Sequence, residues 1–590
     1  MRKLKQQLSK KNLSVSDASL KNWKRLNVSQ TEIPDKLTKR ANKLYSAKNI
    51  IPVEYFKNKT NIAILNKLYS KLCAKPVRDV IYNLALNILN TEKLIRFEKD
   101  ILKTDNKYLE EILYNYGGYK YDRDLINIKL PENETDILGL IYQMFLKEGI
   151  KNKTGSYYTP QKIIQKLIKN ISSDFLCLDP SCGTGSFLLE LSKKITNPRK
   201  LYGIDNDETA CFISKINLIL RFKDDVFLPN IFHTDFLSAD SFGLKFDYIA
   251  TNPPWGAATP DVCRQMFPEI SSKESFSYFL VKSEKLLKSS GRCAFILPES
   301  ILNVALHSDI RRFILDKFSI EAIELAGKVF SGVMTDSVII YLNKNKQNKT
   351  VKIKNKNEVF YINSDIYRKN YNGNFAILNN KDAEIIDKIY SVSHDTLSQS
   401  IWGLGIVTGN NSKHIKKNGG EKIYTGKNIH PYFISDTDNY ITYARENFQQ
   451  TAADSIYRAK EKLVYKFISK KLIFAYDNKQ KLFLNSANIL IPNIKTHSVK
   501  TSLALLNSTV FQYIYKKKFN VLKILKSNLI QLPFPIISAD TKLRIENMVD
   551  EYLSDASAQT VDKLDELVFE LFEIDRDVIQ YIRQDVECRF

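Results

Sequence analysis

Four short segments carry side chains suited to holding a nucleotide-like ligand and acting on it. The first is Leu178-Asp179-Pro180-Ser181-Cys182-Gly183-Thr184-Gly185-Ser186-Phe187. Glycines at a turn between a strand and a helix supply positive φ angles and let backbone approach a ligand closely. Asp205 ends the next apolar run, at the spacing where an acid takes ribose hydroxyls. Next, His233-Thr234-Asp235-Phe236 offers a carboxylate to an adenine amino group with an aromatic ring beside it. The fourth is Thr251-Asn252-Pro253-Pro254-Trp255. A glycine turn with one acid is also compatible with a dinucleotide site or a structural turn, and Asn-Pro-Pro-Trp alone with a simple turn. The third and fourth segments, in this order, sharpen the signal. Cys182 sits inside the first segment, but no base accompanies it, so it reads as a small residue filling a tight loop.

The elements around these residues must place them together. Apolar runs at 175–178, 200–204, 246–250 and 293–297 read as strands, with helices over 207–222 and 274–288 between them. Alternation of this kind predicts a doubly wound, mostly parallel, Rossmann-like α/β sheet. Asp179, Asp205, Asp235 and Asn252 then gather at the carboxyl ends of its strands. Upstream, Thr159 is placed to cap a helix opened by Pro160, with Ile163, Ile164, Leu167, Ile168 and Ile171 as its buried stripe. Residues 51–130 show helical spacing, as in Val80, Ile81, Leu84, Ala85 and Ile88, or Leu109 and Leu113. The first fifty residues are basic. Ser16 can cap a helix over 17–26 there, leaving open a helix-turn-helix reader or a plain amphipathic helix. The Lys- and Asn-rich stretch 342–356 reads as an edge or loop. Beyond Ile401 short strands, aromatics and lysines mix, and helical spacing returns over 560–583. The expected organisation is a basic segment 1–50, a helical extension 51–135, the α/β domain 136–385 and an α+β domain 386–590.

Composition bounds the class. The chain has 590 residues, 44% of them hydrophobic, with no long apolar run and no apolar stretch after its charged first residues. Neither a secretory signal nor a membrane span is expected. Seven scattered cysteines form no C-x-x-C pair and no zinc spacing, which fits an intracellular, cytoplasmic protein without a metal. The formal charge of +23 points to a polyanion as partner, or to lysines that only solvate the surface.

Taken together, the motifs resemble the N6-adenine DNA methyltransferases of the TaqI-like gamma group, within the class I S-adenosylmethionine methyltransferases. Asp179 to Phe187 looks like their motif I, Thr154-Gly155-Ser156-Tyr157-Tyr158-Thr159-Pro160 like motif X ahead of it, and Asn252-Pro253-Pro254-Trp255 like the catalytic motif IV. The resemblance implies a cofactor site of Tyr158, Thr159, Pro160, Asp179, Pro180, Ser181, Gly183, Gly185, Asp205, Asp235, Phe236 and Asn252. It also implies a second base-stacking aromatic at Phe330. The C-terminal region resembles a target-recognition domain, in Gly403-Leu404-Gly405, Tyr424-Thr425-Gly426-Lys427-Asn428-Ile429, Tyr465-Lys466-Phe467 and Leu529 to Pro535. Double-stranded DNA is the implied partner, with a restriction or specificity protein beside it.

The implied reaction is in-line displacement at a sulfonium methyl. The adenine amino lone pair is delocalised and a poor nucleophile. The Asn252 side-chain oxygen and the Pro253 carbonyl would each accept one amino hydrogen, aim the lone pair and stabilise developing positive charge. No strong base is needed, since the amino group becomes acidic only after attack. The target is unreachable inside a duplex, so the base is flipped out and clasped by Trp255 and Phe330.

Two departures from the group stand out. Trp255 occupies a position usually held by Tyr; tryptophan occurs there in enzymes acting on cytosine N4, which usually carry Ser or Asp in place of Asn252. The N-terminal region is longer than in a minimal TaqI-like enzyme, yet Pro34-Asp35 is followed by no convincing nuclease E-x-K. Competing readings are a class I methyltransferase of RNA or protein glutamine, and a non-catalytic DNA-binding modification subunit.

Overall fold

The computed structural model describes residues 61–587, except 100, 119–120, 132–133, 135, 147–158, 169–170, 240–242, 257–261, 331–334, 346–348, 356–357, 370–372 and 520–522. The expected 17–26 helix and residues 154–158, Tyr158 included, lie outside the described residues. The described chain forms two compact units, 61–375 and 376–587.

The first unit opens with helices α1 (Asn61–Leu72), α2 (Val77–Thr91), α3 (Lys107–Gly117) and α4 (Ile137–Phe145). In α2 the helical spacing buries Val80, Ile81, Leu84 and Ala85 completely, while Ile88 is partly covered. Asn106 starts α3 by accepting the N–H groups of Tyr108 and Leu109, which puts Leu109 and Leu113 into the same core. The helical pattern is interrupted by an antiparallel hairpin of β1 (Arg96–Glu98) and β2 (Ile101–Lys103). Lys99, at φ 48°, occupies the turn, a backbone state that a continuous helix does not tolerate.

The rest of the unit is built on a nine-stranded sheet. Its strands are β3 (Cys177–Asp179), β4 (Leu201–Asp205), β5 (Asn230–His233), β6 (Phe246–Thr251), β7 (Leu287–Pro298), β8 (Ser319–Gly327), β9 (Ser337–Asn343), β10 (Thr350–Lys354) and β11 (Val359–Asn363). Their spatial order is β11-β10-β8-β9-β7-β6-β3-β4-β5. The strands from β7 to β5 run parallel, and β9 is antiparallel to both its neighbours. After β3 the chain builds outward to β4 and β5, then returns to the other side for β6 and β7. That reversal is the topological switch point where ligands bind in open α/β sheets. Linking helices include α5 (Gln161–Leu167), α6 (Ser186–Leu191), α7 (Glu208–Arg221) and α8 (Ser275–Leu286).

Three strand expectations shift. The strand expected over 293–297 begins at Leu287, inside the helix expected over 274–288, which ends at Leu286. The backbone N–H of Leu176 donates to the Asp247 carboxylate instead of the ladder, so β3 starts at Cys177 and reaches Asp179. The stretch 342–356 is more than a loop: it contains β10, where Val351 and Ile353 face inward between exposed Thr350 and Lys352. The alternation of a strand is hidden there in lysine-rich sequence.

The second unit is α+β. An antiparallel sheet of Ile401–Leu404, Ala487–Ile491, Lys462–Lys466 and Phe474–Asp477, in that order, shares a core with helices Val499–Asn507, Thr509–Lys518 and Ala558–Leu571. A second small sheet contains Glu421–Tyr424. The helical spacing over 560–583 resolves into two helices, Ala558–Leu571 and Arg576–Glu587.

Candidate active site

At the switch point β3 ends in Asp179 and the chain turns through Pro180–Gly185 into α6. Gly185 is the residue before α6 and takes φ 90°; a Cβ there would come within 2.6 Å of Ser214 Oγ. Gly183 takes φ 51° and faces open space. Glycine is therefore required at both positions, at one for backbone and packing and at the other for backbone alone. Cys182, in the same turn, is buried, and burial pushes its thiol well above the usual range, which disqualifies it as a nucleophile.

Asp179 is wholly buried. Its Oδ1 accepts the Ser181 N–H at 3.1 Å and the Thr251 hydroxyl at 2.8 Å, while Oδ2 has no partner among the described residues. Desolvation pushes its carboxyl up to about 7. Asp205, at the end of β4, accepts the Gly183 N–H on Oδ2 at 2.8 Å and the Asp207 N–H on Oδ1 at 3.0 Å; burial raises it to about 6. The two carboxylates thus lie on neighbouring strand ends and share a backbone turn. The turn is held from behind by Asp136, which is buried and accepts the Thr184 hydroxyl, the Asn217 amide at 2.8 Å and the Gly139 N–H at 2.8 Å.

Beyond β5, Asp235 fastens its own turn, accepting the Leu237 N–H at 3.1 Å and the Ser238 hydroxyl at 3.2 Å. Phe236 is buried against Phe279, ring centres 5.0 Å apart, and Lys282 Nζ lies 5.1 Å from the Phe236 ring. Beyond β6 comes the Asn252–Trp255 loop. Asn252 Nδ2 donates to Thr159 Oγ1 at 3.2 Å. This corrects the expected helix cap: Pro160 is the residue before α5, no side chain caps that helix, and the Thr159 hydroxyl serves Asn252 instead. Ser181 Oγ lies 3.1 Å from the Asn252 carbonyl and 2.6 Å from Thr251 Oγ1, with one hydrogen to give between them, the Ser275 hydroxyl donates to the Pro254 carbonyl, and Pro253 is buried. Trp255 Nε1 donates to the Ile296 carbonyl at 3.3 Å, and its ring meets Phe330 edge to face, centres 5.1 Å apart.

The structure therefore brings Thr159, Asp179, Ser181, Gly183, Asp205 and Asn252 into one bonded cluster, with Trp255 and Phe330 paired beside it. Asp235 and Phe236 stand on the next strand end. Sequence reasoning missed Thr251, Asp136 and Ser275. Thr251 adjoins Asn252, but its partner Asp179 is 72 residues away, and nothing local signals the pairing. Among the described residues no group of three or more His, Cys, Asp or Glu is arranged to hold a metal, and no helix is long and apolar enough to cross a membrane.

The strand order, the glycine turn at the switch point and the Asn-Pro-Pro-Trp loop beside it define a methyltransferase of the doubly wound class. Residues 133–406 match the model of the N-6 DNA methylase family, and residues 421–534 match that of the TaqI-like C-terminal specificity domain. Over 366 residues the chain is 34% identical to the type II methyltransferase M.VspI of a Vibrio species, covering 58% of this chain and 88% of that one. The chain belongs to the N-6 DNA methylase family and is a methyltransferase of the restriction–modification type. It is also 26% identical to the type I restriction enzyme MjaVII methylase subunit of Methanocaldococcus jannaschii, over 53% of this chain and 56% of that subunit. The solved structure of the type IIL restriction–modification enzyme MmeI in complex with DNA aligns with 97% of this chain and 95% of its own, at TM-score 0.55 and 14% identity, a likeness of fold.

Proposed function

We propose that this chain transfers a methyl group from S-adenosylmethionine to the N6 amino group of an adenine flipped out of duplex DNA, as the modification activity of a restriction–modification system. The observation that carries the proposal is the buried Asp179, with one carboxylate oxygen lacking a partner, beside an open glycine turn and one strand from Asn252. Such an oxygen suits the α-ammonium of the cofactor. When bound, S-adenosylmethionine supplies an electrophilic methyl on a sulfonium.

The chain's own residues supply the rest. Gly183 leaves room at the turn, and Asp205 has lone pairs left for ribose hydroxyls after its two backbone bonds. Asp235 takes the cofactor's adenine amino group and Phe236 its ring, while Thr159, Pro160, Pro180 and Ser181 frame the methionine end; the resemblance adds Tyr158 to the cofactor residues. Asn252 Oδ1 and the Pro253 carbonyl accept the two hydrogens of the target amino group. The Thr159 bond to Asn252 Nδ2 holds the amide in one orientation. Trp255 and Phe330 stack on the base, which has to displace their mutual contact. That edge-to-face pair is worth about 0.5–1.5 kcal/mol, against about 1–3 kcal/mol for stacking a base on an aromatic ring, so the exchange favours the base.

The TaqI-like specificity domain and the charge of +23 support duplex DNA as substrate, with recognition in 386–590 and catalysis in 136–385. Relatives that are type I subunits support a restriction or specificity protein as partner, and a DNA-modifying role fits a cytoplasmic location. The test is transfer of labelled methyl to duplex DNA with nucleoside analysis by mass spectrometry. N6-methyladenine is expected. N4-methylcytosine would overturn the choice of base and give Trp255 more weight than Asn252. Transfer to RNA or protein alone would overturn the choice of substrate.

A further inference from the structure

Two hydroxyls link the Asp179 carboxylate to the Asn252 loop in one hydrogen-bonded line. Thr251 Oγ1 lies 2.8 Å from Asp179 Oδ1, Ser181 Oγ lies 2.6 Å from Thr251 Oγ1, and the Asn252 carbonyl lies 3.1 Å from Ser181 Oγ. Asp179 and Thr251 are both wholly buried, so water does not compete for these contacts.

The line holds fewer hydrogens than it has acceptors. Each hydroxyl has one hydrogen to give. With Asp179 ionised, Thr251 must donate to it, and the single Ser181 hydrogen is drawn to Thr251 Oγ1, the shorter of its two contacts. With Asp179 protonated on Oδ1, the line can run the other way: Asp179 donates to Thr251, Thr251 to Ser181, and Ser181 to the Asn252 carbonyl, each hydrogen used once. A cation at Asp179 Oδ2 selects the first arrangement and releases the Asp179 proton to solvent. The Asn252 carbonyl then loses its bond from Ser181.

We propose that Thr251 is a positioning residue whose hydroxyl, with that of Ser181, relays the arrival of the cofactor's cationic amino group at Asp179 to the catalytic loop at Asn252. The inference rests on the cofactor reading of the site. It makes the loop sensitive to whether a methyl donor is present before a base is engaged.

Trp255, three residues beyond Asn252, reports on the loop. The chain has three tryptophans, so Trp23→Phe and Trp402→Phe leave Trp255 as the single indole of a full-length parent. S-adenosylmethionine is titrated without DNA, reading calorimetric affinity and Trp255 emission separately. Expected is an emission change on binding in the parent and in Thr251→Ser, which keeps the hydroxyl. Thr251→Val is expected to bind about tenfold more weakly, the size of one lost hydrogen bond, and to lose the emission change even when saturated. Ser181→Ala, in the less buried turn, is expected to lose it too and decides the matter where Thr251→Val does not fold. A full parental emission change in saturated Thr251→Val or Ser181→Ala overturns the relay. So does a parent that binds without any change in emission, or a Thr251→Ser variant that behaves like the valine. A folded parent without any cofactor binding refutes the cofactor reading itself.

Discussion

Asp179 and Asn252 face opposite demands. At Asp179 the chain buries a carboxylate, gives one oxygen a hydroxyl and a backbone N–H, and leaves the other without a partner. Burial pushes it up to about 7, so the free protein holds a proton there that the unfolded chain has given up. Stability of the cofactor-free protein therefore falls as pH rises from the ordinary aspartate range toward 7. With the proposed cofactor at Asp179, affinity should move the opposite way, because an ammonium binds the ionised form. Affinity for S-adenosylmethionine at pH 6 is expected to be about tenfold below that at pH 8. Asp205, raised to about 6, titrates close by, so the comparison is made with Asp179→Asn, which should flatten most of the slope. An unchanged slope in that variant would remove Asp179 from the cofactor site. In the proposed reaction Asn252 acts on the other substrate. Asn252→Ala is expected to lower the rate of transfer by about 10²–10³-fold or more while leaving cofactor affinity within a few-fold, since it removes an acceptor that matters only as charge develops. Single-turnover transfer beside calorimetric binding separates the two, and near-normal transfer would sink the amide's role.

At the scale of elements, the site is a product of strand order. Asp179, Asp205 and Asn252 meet because β3, β4 and β6 are neighbours in the sheet, although 73 residues separate the first from the last. Short parallel strands buried on both faces read as apolar runs, which is why β3, β4 and β6 were legible to within two residues, whereas β5 was not read as a strand and β7 begins six residues before the expected 293. β10 was not, because its exposed face is lysine-rich. The β1–β2 hairpin was not, because its turn rests on one left-handed Lys99. The second unit carries an element-scale prediction of its own. Lys462 and Asp477, on adjacent strands, form an ion pair 2.6 Å long with both side chains fully buried. Lys462→Met leaves the carboxylate without its cation and should destabilise this unit by about 3–5 kcal/mol in urea unfolding followed by near-ultraviolet circular dichroism. A loss below about 1 kcal/mol would mean that the pair is solvated.

For the whole molecule, 88 basic against 65 acidic residues set the reach of its field more than any single contact. Duplex binding should weaken steeply with salt, by about one unit in the log–log slope for each phosphate neutralised. Lys427 is exposed and Lys466 half-buried, both within the span that matches the specificity domain. If they touch phosphates, Lys427→Ala and Lys466→Ala should each flatten that slope by about one while weakening all duplexes alike. A slope equal to the parent's assigns the two lysines to solvation.

The sequence by itself determined the class of chemistry. Asp179 to Phe187, Asp205, Asp235-Phe236 and Asn252 to Trp255 appear in one order, each after an apolar run, and the residue types alone restrict what can be bound. Only the tertiary structure decided how those residues are wired. It moved Thr159 from helix cap to partner of Asn252, set Trp255 edge to face against Phe330, placed Asp136 behind the glycine turn, and joined Asp179 to the Asn252 loop through Thr251 and Ser181. The physical reason is range. Turn chemistry and periodicity act over a few residues and leave their mark on neighbouring letters. A buried hydroxyl's partner is set by which strands pair across the sheet, and that pairing is fixed only when the whole core closes.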